Sequence, residues 1–164
     1  MAGESEGSEF RFEKRRAEAS VTLVGGESAS GSFFVAGARS NHDGAERVGE
    51  VLNEDSGFFP FEIQTSDGAR TVLYNRAHVI TVTLTESEAS RDPGYAIAKR
   101  RDIWLLLTDG RRIRGVVRVY RPEGRDRLSD WTRQPETFRY IDTDEGTLLV
   151  NAAHIVAVTE EPPA

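Results

Sequence analysis

The stretch LYNRAHVITV at residues 73–82 recurs, 76 residues further along the chain, as LVNAAHIVAV at residues 149–158. The triplet KRR at residues 14–16 also recurs, at residues 99–101. Repetition of this kind predicts a diverged internal duplication into two units of about 65 residues each. Because so small a unit buries only roughly 60% of the surface that its unfolded chain exposes, we expect the two units to pack on each other.

Two glycines occupy equivalent places in each half, namely Gly26 with Gly31 and Gly110 with Gly115. The first of each pair follows an apolar run and predicts a tight hairpin turn. The second falls in the middle of an alternating run, where a glycine indicates a bend or a bulge at the corner of a small barrel. The alternation places one apolar or small set on the inner face, Ile113, Gly115, Val117 and Val119, and a matching set in the first half, Ala29, Gly31, Phe33 and Val35.

Each half shows about five short strand-like runs joined by tight turns, with a single helical turn after Arg47 and after Arg127. This pattern predicts an all-β protein built from two tandem, small, five-stranded SH3-like barrels packed as a pseudo-dimer with little helix. The predicted boundaries are a disordered acidic tail at 1–13, a first barrel at 14–85, a linker at 86–98, a second barrel at 99–159 and a tail at 160–164.

The turn glycines and the closing strands resemble those of the Sm-like family, the small barrels of Sm, LSm and bacterial host-factor ring proteins. Asp109-Gly110 with Gly115 matches the opening of that fold, and the frame at residues 150–158 matches its closing strand. The resemblance implies a five-stranded barrel in each half. It does not imply binding to uridine tracts, because the family's closing Arg-Gly, which helps to bind RNA bases, is replaced by Asn151-Ala152 and, in the first half, by Asn75-Arg76.

The composition excludes several classes of function. The chain has no cysteine, which removes disulfides and thiolate chemistry and favours a cytoplasmic protein. Residues 1–13 lack the basic start and apolar run of a secretory signal, and no apolar run is long enough to span a membrane. The net charge is −6, and residues 1–87 carry the whole excess, with 8 Lys and Arg against 14 Asp and Glu.

Both copies keep a polar pair, Asn75 with His78 and Asn151 with His154. Asparagine can hydrogen-bond a tight turn and histidine can bind a neighbouring carbonyl group, so a structural role is the favoured interpretation. The two histidines could also meet as metal ligands, but no acidic ligand accompanies both of them. We therefore predict no metal, no cofactor and no catalytic residue, in agreement with the absence of the common nucleotide-binding and nucleophile motifs.

The halves differ most on the polar face of the second strand, where Arg112, Arg114 and Arg118 replace Ser28, Ser30 and Phe34. Nearby basic and aromatic residues extend this surface, namely Tyr120, Arg121, Arg125, Arg127 and Trp131. Guanidinium and aromatic groups together suit a protein partner or a second copy of the chain, and alternatively single-stranded nucleic acid. The remaining interpretation is that the arginine stems only cover a barrel face while acidic neighbours neutralise them. The leading hypothesis is a non-catalytic interaction or assembly module, and the alternative is RNA or single-stranded nucleic-acid binding.

Overall fold

The computed structural model describes residues 14–37, 46–54, 57–88, 95–119 and 127–161. These residues form an all-β fold with ten strands and little helix, which confirms the predicted class. The strands are β1 (Lys14–Leu23), β2 (Ser28–Ala36), β3 (Phe58–Thr65), β4 (Gly68–Asn75), β5 (Val79–Leu84), β6 (Lys99–Leu107), β7 (Arg112–Val119), β8 (Phe138–Thr143), β9 (Gly146–Asn151) and β10 (Ile155–Glu160). Two short helices, α1 (Val48–Leu52) and α2 (Leu128–Thr132), and two 3-10 turns, Arg76–His78 and Ala152–His154, connect them.

All ten strands belong to one antiparallel sheet in the order β10-β6-β7-β8-β9-β5-β1-β2-β3-β4. The first half, residues 14–88, and the second half, residues 95–161, therefore have the same internal order: fifth strand, first, second, third, fourth. The fifth strand of the first half pairs with the fourth strand of the second half. The strands that meet are not equivalent to each other, and β4 and β10 remain as the two outer strands of the sheet.

The predicted inner and outer faces of the second strand are confirmed in both halves. On β7, Gly115, Val117 and Val119 are buried while Arg112 and Arg114 are exposed. On β2 the buried residues at the matching positions are Phe33 and Val35. The alternation of side chains along a strand is therefore a sufficient guide to the core at these positions.

The glycines at the middle of β2 and β7 permit a close approach of the third strand of each half. A Cβ on Gly31 would overlap the backbone carbonyl oxygen of Glu62, and a Cβ on Gly115 would lie 2.8 Å from the carbonyl oxygen of Asp142. At these corners β7 pairs with β8 through a single residue pair, Val116 with Asp142. The predicted bend is thus a place where only a hydrogen atom fits between two strands.

The two cores exchange residues across the contact between the halves. Phe138 and Leu149, from the second half, are buried in the cluster around Phe33 and Phe61 of the first half. In return, Ile80 of β5 is buried in the cluster of the second half. Each half therefore completes its core with side chains from the other, as the small size of each unit leads one to expect.

We predict that Gly31→Ala and Gly115→Ala each lower the free energy of unfolding by about 1–3 kcal/mol, because the added methyl group must displace a backbone carbonyl of the next strand. Urea denaturation measures the change. Ser30→Ala, at an exposed position next to Gly31, is the control and should leave the unfolding midpoint unchanged. Equal midpoints for all three variants would show that the strands can separate freely at these corners.

Candidate functional site

The contact between β5 and β9, here called the junction, joins the sheet strands of the two halves. Its register pairs Thr81 with Val150, Val82 with Leu149 and Thr83 with Leu148. Thr81, Val82, Leu149 and Val150 are all at most 1% exposed. The junction is therefore a piece of interior as well as a ladder of backbone hydrogen bonds.

Asn151 binds the backbone on both sides of the junction. Its Oδ1 accepts a hydrogen bond from the Ala153 amide at 3.0 Å, which caps the 3-10 turn of its own half. Its Nδ2 donates to the carbonyl oxygens of Val79 at 2.9 Å and Arg76 at 3.3 Å in the other half. The Asn151 side chain is only 1% exposed, and its bond to the Val79 carbonyl is buried, so water does not readily replace this donor.

His154 reinforces the same contact. Its Nε2 lies 2.8 Å from the carbonyl oxygen of Ala77, and its Nδ1 lies 2.9 Å from the Thr108 hydroxyl oxygen. A carbonyl can only accept, so Nε2 carries the proton and donates across the junction. Asn151 and His154 of the second half thus both bind the backbone of the first half.

A second set of polar contacts crosses between the halves beside α1. The Asn53 side chain donates to the Phe138 carbonyl at 2.8 Å and accepts from the Phe138 amide at 2.7 Å. The Tyr140 hydroxyl donates to Glu88 Oε1 at 2.7 Å, and the Gly49 amide donates to the same carboxylate oxygen at 3.1 Å. Burial raises the pKa of Tyr140 far above its usual range and the Glu88 carboxylate raises it further, so the phenol remains a protonated donor.

Equivalent positions in the two halves follow from the strand registers. Phe58 lies opposite Asn75 in the first half, and Phe138 lies opposite Asn151 in the second. The repeated stretches that contain these asparagines align along the fourth and fifth strands of each half. Every residue of the junction therefore has a counterpart on one of the two outer strands.

The open side of β4, together with Phe58 beside it, is here called the β4 edge. Phe58 is 62% exposed, whereas its counterpart Phe138 is 1% exposed. Leu73 is 64% exposed, whereas its counterpart Leu149 is completely buried. Phe138 and Leu149 are buried in the core of the first half, whereas their counterparts Phe58 and Leu73 face solvent at the β4 edge.

The open side of β10, here called the β10 edge, shows the complementary relation. Val156 is 60% exposed, whereas its counterpart Ile80 is 1% exposed. Three of the six large apolar residues that are exposed in the described part of the chain are therefore counterparts of residues that are buried at the junction or on the adjoining strand β8. Exposed, unpaired strands with apolar side chains are ready templates for pairing with another strand.

Asn75 and His78 hold the matching polar groups at the β4 edge. Asn75 Oδ1 accepts from the Ala77 amide at 3.0 Å, as Asn151 does in its own turn. Within the described residues, neither the Asn75 Nδ2 nor the His78 ring has a hydrogen-bond partner. The donors that bind across the junction in the second half are thus present and unused in the first.

The predicted arginine surface divides into two environments. Arg112 and Arg114 are exposed on β7, and Arg114 Nε lies 2.8 Å from the Glu161 carboxylate. Arg118 is largely buried, with its guanidinium 3.7 Å from the centre of the Tyr95 ring and 3.6 Å from Asp142 Oδ2. The three arginines therefore do not form one continuous open face.

The other residues of the predicted surface lie elsewhere. Trp131 is 2% exposed and belongs to the core of the second half, so its ring has no free face for a partner. The Arg127 amide donates to Asp130 Oδ2 at 3.0 Å at the start of α2. Tyr120, Arg121 and Arg125 lie outside the described residues. Trp104 is not among the candidate binding residues predicted from the sequence. The alternation of residues 103–107 nevertheless puts Trp104 on the face of β6 that points away from the buried Ile103 and Leu105.

A cleft of about 280 Å3 lies beside α1 and β8 and is lined by residues of both halves. Arg139 in its wall donates to three backbone carbonyls, those of Trp131, Gln134 and Glu136, at 2.7 to 2.9 Å. Arg118 in the same wall is engaged by Tyr95 as described above. These two guanidinium groups are therefore occupied by the protein itself.

Comparisons with known proteins identify no matching family model, no matching curated protein and no matching solved structure. Among the residues that the structure describes, no three histidine or carboxylate side chains are grouped as a metal site would require. The described helices are also too short to cross a membrane. Function must therefore be inferred from the geometry of the chain itself.

We predict that Asn151→Ala lowers the free energy of unfolding by about 2–3 kcal/mol, since it removes a turn cap and leaves the buried carbonyl of Val79 and the partly buried carbonyl of Arg76 without this donor. Asn75→Ala removes only the turn cap and should cost about 1 kcal/mol. Chemical denaturation of the two variants at low protein concentration measures the difference. If both variants lose the same stability, the Asn151 contacts do not hold the halves together.

Proposed function

We propose that the chain is a tandem of two Sm-like barrels that acts as a non-catalytic assembly module, in which the β4 edge of one copy pairs with the β10 edge of the next. The observation that carries this proposal is the exposure of Phe58, Leu73 and Val156, whose counterparts are buried at the junction or on the adjoining strand β8 inside each copy. The two edges fit each other because the chain already contains the same contact once.

The junction also supplies the register of the proposed contact. Moving its residue pairs to their counterparts places Tyr74 opposite Ala157, Leu73 opposite Val158, and Val72 opposite Thr159. In that register Asn75 Nδ2 faces the carbonyls of residues 152 and 155 in the next copy. His78 faces the carbonyl of residue 153 there. The unused donors of the β4 edge thereby gain the partners that Asn151 and His154 have within the chain.

A contact between two different surface patches is heterologous, so each copy has one donor edge and one acceptor edge. Successive copies then continue the ten-stranded sheet instead of ending it after two chains. This relation favours a second copy over an unrelated partner, because an unrelated strand would have to reproduce the whole set of counterparts. A pseudo-dimer inside each chain would thus be the repeating unit of a longer assembly.

The contact between copies would be weaker than the junction. The residue equivalent to Tyr140 in the first half is Pro60, which has no hydroxyl group. The residue equivalent to Asn53 in the second half is Arg133. Its guanidinium can donate to a backbone carbonyl but cannot accept from an amide. The phenol and one hydrogen bond of the amide pair are therefore lost. We infer an association that responds to protein concentration, in a cytoplasmic protein that needs no cofactor.

Nucleic-acid binding is the second candidate function and has less support. Arg114 is held by Glu161, Trp131 is buried, and the whole chain carries a net charge of −6. Binding to single-stranded RNA through the remaining arginines would have to weaken steeply as salt is raised. Absence of binding at low salt would remove this candidate.

We predict that two single substitutions each abolish assembly and that a mixture of the two variants restores one contact. Leu73→Asp blocks the β4 edge and Val156→Asp blocks the β10 edge, because a carboxylate would be buried without a partner at either contact. Sedimentation velocity of the wild type should show larger species as concentration rises. Each variant alone should stay monomeric, and an equal mixture should form dimers and nothing larger.

Ser30→Asp, at an exposed position on β2 away from both edges, is the matched control and should assemble like the wild type. Circular dichroism checks that each variant is folded, since both edge residues face solvent in a single copy. A wild type that stays monomeric at all concentrations would contradict the proposal. So would an associating wild type whose edge variants do not complement each other.

A further inference from the structure

Among the aromatic residues of the second half that the structure describes, Trp104 is the most exposed. It is 41% exposed, at the centre of three neighbouring strands. Its direct partner on β7 is Arg114, and its direct partner on β10 is Thr159. Leu106 lies two residues further along the same face, opposite Arg112. We name this set of four residues, Trp104, Leu106, Arg112 and Arg114, the Trp104 face.

The same four positions in the first half carry small hydroxyl residues. Ala19 pairs with Gly31 as Ile103 pairs with Gly115, which fixes the equivalence of β1 with β6. The counterparts of the Trp104 face are therefore Ser20, Thr22, Ser28 and Ser30. One fold thus tolerates small polar side chains here, so neither the ring nor the arginines are required for the barrel itself. The large or cationic residues at all four positions of the second half are therefore not explained by the requirements of the fold.

The Trp104 face already binds one carboxylate. Arg114 Nε donates to Glu161 Oε2 at 2.8 Å, although the Arg114 side chain is 60% exposed and can be reached from solvent. Within the described part of the chain, Arg112 has no charged partner and the Trp104 indole N–H has no acceptor. The face therefore combines one internal carboxylate contact with two donors that no described residue engages.

The apolar part of the face is open on one side. The residues of β10 next to Trp104 and Leu106 are Thr159 and Ala157, which are small and exposed. A side chain that enters over them would contact the edge of the indole ring and the Leu106 side chain together. Tryptophan and arginine side by side are the residue types that dominate binding energy in protein interfaces.

We propose that the Trp104 face docks an acidic peptide segment of a partner protein, with an aromatic or aliphatic side chain of that segment seated against Trp104 and Leu106. Its carboxylates pair with Arg112 and Arg114. Arg112 and Arg114 supply the positive charge that complements the carboxylates of the segment, and the Leu106 side chain beside Trp104 favours an apolar peptide side chain over a nucleotide. This interaction goes beyond assembly, since none of its four residues belongs to the exposed apolar set of either edge.

The test uses a fluorescein-labelled hexapeptide, Glu-Phe-Glu-Glu-Phe-Glu, and fluorescence anisotropy. The full chain carries Leu73→Asp, so that assembly between copies does not alter the signal. We expect saturable binding of one peptide per chain. Replacing the face by its first-half counterparts, with Trp104→Ser, Arg112→Ser and Arg114→Ser together, should weaken binding more than tenfold. Glu161→Gln should strengthen binding severalfold, because it frees Arg114 from its internal carboxylate.

The reciprocal transfer provides a gain of function. A chain with Ser20→Trp, Thr22→Leu, Ser28→Arg and Ser30→Arg should bind two peptides where the parent chain binds one. This variant tests the face without removing anything from the second half. The fold of each variant is checked by circular dichroism.

Three results would overturn the proposal. The first is no peptide binding by the parent chain. The second is equal binding of a control peptide in which lysine replaces each glutamate. The third is tighter binding of a single-stranded hexanucleotide that the triple serine variant also loses, which would assign the face to nucleic acid. Because the peptide assay runs on a chain that cannot assemble, its failure leaves the assembly proposal standing, and failure of assembly leaves this one standing.

Discussion

The pairing of β5 with β9 is the contact on which the rest of the structure depends. It joins two units that are each too small to bury a full core, and it does so by exchanging side chains: Phe138 and Leu149 enter one core while Ile80 enters the other. The Asn151 side chain then donates to the carbonyls of Arg76 and Val79 at the end of the strand pairing. Backbone pairing, apolar burial and polar satisfaction therefore coincide at one place.

The same constraint gives a meaning to the outer strands. The contact joins the fifth strand of the first half to the fourth strand of the second half. The chain therefore keeps one unpaired fourth strand, β4, and one unpaired fifth strand, β10. If the strands that met had been equivalent, both remaining edges would have been alike. The exposed Leu73 and Val156 are thus the direct consequence of how the halves are joined.

Much of the fold could be predicted from the sequence because it depends on local signals. The alternation around Gly115, the turn at Gly110 and the return of each signal in both halves indicated the strands and their inner faces. Which strands of the two halves would meet could not be predicted, since β5 and β9 carry the same kinds of residue as β10 and β4. The sequence also does not predict that Trp131 is buried or that Trp104 is exposed. Trp131 lies on a short helix and Trp104 on a strand, and the packing of the other elements decides which side of each faces the core.

Hydrogen–deuterium exchange followed at increasing protein concentration tests the central claim most directly, because it reads backbone pairing residue by residue. If the junction is the template for the contact between copies, protection should rise together in residues 72–74 and 157–159. Exchange in β5 and β9, which are already paired, should not change. Protection that stays constant at both edges, or that rises at one edge alone, would contradict the account.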